Sequence, residues 1–362
     1  MTEIGYWASQ EQYSMQQLID FVKEAEKGGF ESTLTSDHFH PWSHTNGHGN
    51  FTWVWLSAIA ERTKKMKFTT GVTAAVYRYN PGLIAQAFAS LDVLYPGRIG
   101  LGVGSGEAMN EVTLGFDWPP AEIRVNRTVE SIQIIKKLWN KSATGYNDFE
   151  DSRINNKENN NIRCSVDEDG FVTFIGKYFK IQNAKLYTPP LTNIPLFMAA
   201  SGTHAIKAAA EYTDGLITTS KPGEGVKETF EIFDNAARNA NKDINSLEKI
   251  AKPKVSYSED YDEAFKATEF WRTTQIDDAF DTKINDPRVL EQKAKREVSD
   301  DELKKSTIIV TSIEDLITPI EKYLNAGFTK IYIHSTSPDE IKFIRLFSKK
   351  VLTYFRDNWK KA

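Results

Sequence analysis

Residues 98–111 read RIGLGVGSGEAMNE: an apolar strand pattern that runs into alternating glycines and then into a helix-like stretch. Gly102, Gly104 and Gly106 give GxGxG, but the dinucleotide fingerprint needs its third glycine one position later, where Glu107 stands. The longer phosphate-binding GxxxxGK[ST] loop is absent too. What remains is a tight turn that lets a planar cofactor approach the backbone, with Glu107 and Asn110 one helical turn apart as polar contacts. Strand, glycine turn and helix make half of a βαβ unit.

Outward from this segment the same alternation fills most of the chain. Strand patterns fall at residues 4–8, 32–36, 67–73, 98–104, 195–200, 215–219, 254–257 and 330–334, with helix patterns between them. The first helix carries Met15, Leu18, Ile19, Val22 and Ala25 on one face, opens on a Ser14/Gln17 capping box and stops at Gly28-Gly29. Asn80-Pro81 opens another that Tyr95-Pro96-Gly97 closes, and Ser337-Pro338 with Glu340 caps the last. Eight strands alternating with helices predict a closed (β/α)8 barrel, a TIM barrel, over a doubly wound open sheet. In a barrel the chemistry belongs at the C-terminal ends of the strands, where TSDHFHPW (35–42) and GVGSGEAMNE (102–111) both fall.

Two segments break the rhythm. Residues 143–170 are rich in Asn, Asp and Glu and read as a polar surface insertion. Residues 272–306 are charged, helical in RVLEQKAKREVSDDELKK, and placed to cover the barrel mouth. With no repeat and no second domain, residues 1–362 are expected to form a single barrel domain.

The 362 residues, 40% of them hydrophobic and 12% aromatic, suffice for one large core. A net charge of −4 without a long basic stretch argues against a nucleic-acid partner and for a small molecule. The single cysteine, Cys164, leaves no internal disulfide, and no apolar run approaches the about 18 residues of a membrane span. A soluble cytoplasmic protein is expected.

Four of the six histidines crowd into residues 33–51, TLTSDHFHPWSHTNGHGNF. His40, His44 and His48 stand at i, i+4, i+8, but Pro41 and the loop formers in HTNGHGN break any helix that could align them, and no HExxH occurs, so no metal is expected. Asp37-His38 ends a strand, where a carboxylate can orient an imidazole as a general base. Side chains adjacent on a strand diverge, however, so the pairing requires the strand to break there.

Together ASQEQY (8–13), SDHFHPW (36–42), RYNPGLIAQAFASL (78–91), YPGRIGLGVGSGEAMNE (95–111), MAASGTHAIKAAAEYTDGLITTS (198–220) and KIYIHS (330–335) resemble the luciferase-like barrel oxidoreductases that use coenzyme F420, a deazaflavin. The nearest branch is the F420-dependent glucose-6-phosphate dehydrogenases, with the F420-dependent secondary alcohol dehydrogenases close. The resemblance implies that His38 handles the substrate hydroxyl proton as hydride passes to C5 of the deazaflavin, that Glu107 exchanges a proton near the reduced ring, and that Trp42 walls the pocket. It implies cofactor contacts at Asp37, Ala74, Ser105, Gly106, Asn110, Ser201, Gly202, His204 and Ala205, and a cis peptide under the ring at Gly71-Val72. Glu11, Thr219 and Lys221 match substrate contacts, and a homodimer is expected from the family.

The sequence departs from the sugar-phosphate branch where the phosphate is held. Lys221 is displaced by about one position, Asp281 stands on or near the second lysine unless Lys283 substitutes, and Ser306 replaces an arginine. An aspartate repels a phosphate, which prefers bidentate cationic donors. The substrate is therefore read as a sugar, a sugar phosphate or a secondary alcohol; an FMN-dependent monooxygenase on the same fold and a noncatalytic deazaflavin carrier are the alternatives.

Overall fold

Short strands buried on both faces need helices outside them and a sheet without edges. The computed structural model, which describes residues 3–139, 163–277, 279–280 and 282–359, has this arrangement. Eight strands, β1 (Glu3–Ala8), β2 (Ser32–Thr35), β3 (Lys67–Thr70), β4 (Ile99–Gly104), β5 (Leu196–Ala199), β6 (Gly215–Thr218), β7 (Glu248–Ala251) and β8 (Lys330–Ser335), pair in parallel in this order. β8 returns to β1 in the register Glu3↔Lys330 to Tyr6↔Ile333, so the sheet closes. The barrel is present and the open sheet is excluded.

Its interior is filled by Trp7, Leu34, Phe197, Ile217, Ile250 and Tyr332, one from each of six strands. Gly5 on β1 is needed because a Cβ there would lie 2.5 Å from the Tyr332 ring. Outside, helix α1 (Met15–Gly28) buries Leu18, Ile19, Val22 and Ala25, has the expected Ser14/Gln17 capping box and ends on left-handed Gly29. Helix α2 spans Thr52–Arg62, and α3 (Pro81–Leu94) starts on an Asn80 side-chain cap. Each fully buried large side chain stabilises by about 1.5–3 kcal/mol, and dozens line this double-layered core.

The seventh strand is a correction. The barrel position belongs to Glu248–Ala251, which pairs with β6 and β8. The predicted strand Lys254–Tyr257 follows beyond Pro253 and pairs with β8 and with Ile308–Val310. Half-polar EKIA hides its burial because Glu248 and Lys249 sit at the barrel's outer end, where Lys330 and Asp234 take their charges. β3 is also interrupted: Gly71–Val72 is a cis peptide, and pairing with β4 resumes at Thr73–Ala74. The final helix is capped by Asp339 rather than Ser337.

Of the polar segment 143–170, residues 143–162 lie outside the described residues. From Arg163 the chain forms an antiparallel sheet, Arg163–Val166, Val172–Ile175 and Lys180–Ala184, whose Val166, Val172 and Phe174 are buried. Between β7 and β8 stand the helices Pro287–Glu297 and Asp300–Ser306. Trp271, Ile276, Leu290, Ala294 and Val298 from this region pack with Trp42 and Met109 in a second apolar cluster above the barrel.

Tyr6 on β1 donates to Glu340 Oε1 at 2.8 Å, tying the first strand to the final helix. Burial raises the Glu340 carboxyl to about 7. Its folded pKa lies above the unfolded value, so its stabilising contribution is full in acid and is lost as pH rises through about 7. Glu340→Gln keeps the acceptor and removes the charge, so the melting temperature of the variant relative to wild type should rise between pH 5 and pH 8.5. The gain is at most about 3 kcal/mol, and a difference independent of pH would contradict it.

Candidate active site

The C-terminal ends of the strands enclose a cavity of about 1110 Å³. On its wall are His38, Trp42, Glu107, Gly71, Val72, Ser105, Gly106, Glu11, Thr219 and Lys221, together with Ser201, Gly202, His204 and Ala205. Fourteen of the expected site residues, scattered over two hundred positions, are thus brought to one rim. Asp37, Ala74 and Asn110 are buried behind the wall instead.

His38 is held from both sides. Asn110 Nδ2 lies 3.3 Å from Nδ1, and Glu11 Oε1 lies 3.4 Å from Nε2. Asn110 has no orientational freedom, because its Oδ1 accepts the backbone N–H of Phe39 at 2.8 Å and of His40 at 3.3 Å. Its amide must therefore donate toward the imidazole and toward Glu107 Oε2, 3.0 Å away. The network assigns the tautomer: Nδ1 accepts, and the proton sits on Nε2 facing Glu11. Glu11 is itself buried and receives the hydroxyls of Ser9 and Ser36.

The carboxylate beside the imidazole is therefore Glu11 and not its sequence neighbour Asp37. Asp37 turns the other way, as adjacent strand side chains do, and is fully engaged. Thr73 Oγ1 donates to it at 2.8 Å, Tyr79 Oη at 3.3 Å, and the Arg78 guanidinium lies 3.3 Å away while also donating to its carbonyl. These contacts hold its carboxylate just behind the cavity wall. On the opposite side of Arg78 stands Glu111, fully buried, whose carboxyl burial pushes up to about 7.

Trp42 packs 5.9 Å from His38 and edge-on to Phe280. The loop behind it is tied to the cover above the barrel: Ser43 Oγ donates to the Phe270 carbonyl, Thr45 bonds Glu291 twice at 2.8 Å, and His40 Nδ1 lies 3.3 Å from the Asn285 carbonyl. His44 and His48 are off the cavity wall. Among the described residues no three metal-ligating side chains come together.

The rim also suits an elongated anionic cofactor. Gly202 opens the helix Thr203–Tyr212 without a side-chain cap, and nothing lies within 4 Å of where its Cβ would be. The uncapped N–H groups of that helix adjoin the cavity wall at 201–205, an arrangement suited to an anionic group. Gly104 lies against Val72, where a Cβ would come within 2.5 Å of Cγ2, so the strand end is kept flat beside Ser105 and left-handed Gly106.

Sequence reasoning missed three cavity groups. Lys252 and Lys254, just past β7, and His334, near the end of β8, line the wall next to Trp7 and Trp271. Burial brings Lys254 down to about 7 and Lys252 to about 8, and holds His334 well below the usual imidazole range. The available signal was KPK at 252–254, two lysines on one face just past a strand end; it was lost with the placement of the seventh strand.

A parallel barrel with acid–base groups gathered at its catalytic rim is a barrel enzyme. The chain belongs to the luciferase-like family, whose model, described as luciferase-like monooxygenase, matches residues 1–330. It is 32% identical to an F420-dependent glucose-6-phosphate dehydrogenase of Microbacterium testaceum over 97% of both chains, and 32% identical to F420-dependent glucose-6-phosphate dehydrogenase 2 of Rhodococcus jostii over 98% of both. Among solved structures, an F420-dependent secondary alcohol dehydrogenase in complex with an F420-acetone adduct superposes with TM-score 0.86 at 34% identity, over 96% of this chain and 98% of that one. The coenzyme F420-dependent tetrahydromethanopterin reductase of Methanopyrus kandleri shares the fold, with TM-score 0.73 at 20% identity over 98% and 99%.

Replacing Asp37 by Ala leaves Arg78 buried with one weaker partner. A loss of about 3–5 kcal/mol in urea unfolding is expected. A loss below about 1 kcal/mol together with weakened cofactor binding would return Asp37 to the cavity.

Proposed function

We propose that this chain is a coenzyme F420-dependent dehydrogenase acting on CH–OH groups, taking hydride from an alcohol carbon of a sugar, a sugar phosphate or a secondary alcohol. The observation that carries the reading is the His38 imidazole, side chain 9% exposed, suspended between Glu11 and the Asn110–Glu107 pair at the cavity wall. The relatives' cofactor fits the rim: Ser105, Gly106 and the Gly71–Val72 backbone offer a flat surface for a ring, and the helix terminus at 201–205 takes an anionic tail. When bound, coenzyme F420 supplies the hydride acceptor, C5 of its deazaflavin.

Removing hydride from a carbinol carbon requires the hydroxyl proton to leave. The hydroxyl proton passes to the Glu11 carboxylate while His38 Nε2–H, its ring staying neutral, donates to the alcohol oxygen as it becomes a carbonyl; in reverse, Nε2–H donates to the carbonyl oxygen and Glu11 returns the proton. Asn110 keeps Nδ1 an acceptor throughout and so fixes which nitrogen faces the substrate. Glu107 exchanges the second proton near the ring. Trp42 and the cover packed on it exclude water, which strengthens every charge interaction in the cavity. Asp37, Asn110 and Ala74 are read as cofactor contacts that stand just behind the wall, and Asn110 also orients His38 and Glu107.

A homodimer accompanies this reading, supported by Phe51, Val54, Leu83 and Leu94 exposed around α2 and α3. A cytoplasmic location does too; among the described residues no helix is long and apolar enough to cross a membrane.

The test is the absorbance decay of oxidised F420 with purified protein and glucose 6-phosphate, glucose or 2-propanol. One of these should bleach it. His38→Ala should lower kcat by about 10²–10⁴-fold while F420 affinity changes little; normal turnover of that variant would remove His38 from the mechanism.

A further inference from the structure

Past the end of β7, Lys252 and Lys254 flank Pro253, two residues apart and facing the same aromatic wall. Lys252 Nζ lies 3.9 Å from the centre of the Trp7 ring and 5.9 Å from that of Trp271, and Lys254 Nζ lies 5.8 Å from Trp271. Between the two tryptophans sits His334, 4.4 Å from Trp271 and 5.5 Å from Trp7. It is fully buried, lines the cavity, and neither ring nitrogen has a hydrogen-bond partner.

The lysines are nearly as poorly matched. Lys254 bonds the Thr274 hydroxyl at 3.0 Å, and Lys221, nearby on the same wall, donates to the Lys305 carbonyl. Among the described residues no carboxylate forms an ion pair with Lys221, Lys252 or Lys254, although Glu11 and Glu107 influence Lys252 from a distance. Buried cations are ordinarily paired, and like charges placed together without an anion raise one another's cost. This chain keeps two, the half-buried Lys252 and Lys254, on one apolar wall, with the exposed Lys221 nearby and an orphaned imidazole between the tryptophans.

Apart from Lys221, the positions singled out from the sugar-phosphate branch do not supply this function. Ser306 is committed to the Leu303 carbonyl, Lys283 is exposed and off the wall, and Asp281 lies outside the described residues.

We propose that Lys252 and Lys254, with His334 between the tryptophans, form a substrate subsite for an oxyanion group, a phosphate or a carboxylate carried by the alcohol. The aromatic rings hold the lysine stems and exclude water, so the ammonium groups gain more from an anion there than at a surface. The subsite rests on the dehydrogenase reading for the identity of its ligand as an alcohol substrate, but its own chemistry is anion binding.

Glucose, glucuronate and glucose 6-phosphate share a ring and an anomeric hydroxyl and differ at C6, so they separate the two sources of negative charge. Binding of each to the full-length protein, read by tryptophan fluorescence without turnover, should favour one anionic sugar over glucose by at least about 10-fold. Whichever wins names the group. Lys252→Met and Lys254→Met should each weaken that ligand by about 10- to 100-fold and reduce its preference over glucose, while Lys254→Arg recovers part of it. Melting curves of the three variants report folding, and the charge-conserving arginine variant still reads the subsite if a methionine variant does not fold.

Equal affinity for all three sugars, or an anion preference that survives both methionine substitutions, overturns the subsite. The two readings fail separately. Tight lysine-dependent anion binding without F420 bleaching by any alcohol removes the dehydrogenase and leaves the subsite. Bleaching by glucose or 2-propanol with no anion preference does the reverse.

Discussion

One buried guanidinium holds the catalytic rim together. Arg78 follows the interrupted third strand and reaches Asp37, at the end of the second, and Glu111, behind the glycine turn of the fourth. Its backbone N–H also donates to Glu111 Oε2 at 2.9 Å, so the loop and its side chain are fixed by the same carboxylate. Those three loops carry His38, the Gly71–Val72 wall and Glu107. An ion cluster this deep is expensive to assemble and more expensive to break, because removing a partner strands a charge in low dielectric. Its use is positional: it clamps three chain segments whose own strands are only four to six residues long.

Above that clamp the acid–base groups are set by hydrogen bonds with no alternative arrangement. Asn110 spends its carbonyl on two backbone N–H groups, so its amide can only face His38 and Glu107. One side chain thereby fixes the loop of the second strand, the tautomer of the imidazole and the direction of the glutamate. The apolar cluster around Trp42 and Leu290 closes the same loop from outside. Positioning from below by charge and from above by packing leaves His38 little room to move, which is what proton transfer over hydrogen-bond distances requires.

Much of this was legible in the sequence, and what was not has definite causes. Periodicity and caps located the barrel, because a Ser14/Gln17 box or an Asn80-Pro81 start is a local event. The pairing of His38 with Glu11 is not local: it depends on closure bringing β1 beside β2, and Asp37, one residue away in the chain, is on the wrong face. Lys252 and Lys254 were lost for a different reason. The four residues of β7 include two charged ones that point to the barrel's outer end, so the strand looked like surface and the lysines beyond it had no rim to stand on.

The two halves of the cavity make opposite demands on solvent. Around His38 the carboxylates of Glu11 and Glu107 are supplied with hydroxyl or amide donors, so that side is electrostatically complete without a ligand. Around Trp271 the cations outnumber their acceptors, and His334 has none. Glu11 and Glu107 lie close enough to act on Lys252, yet neither closes an ion pair with it. Had stability alone set these positions, methionine or leucine against Trp7 and Trp271 would serve better at no desolvation cost. A wall that keeps lysine there is short of an anion that must come from outside the protein, and the cavity is the route by which it can arrive.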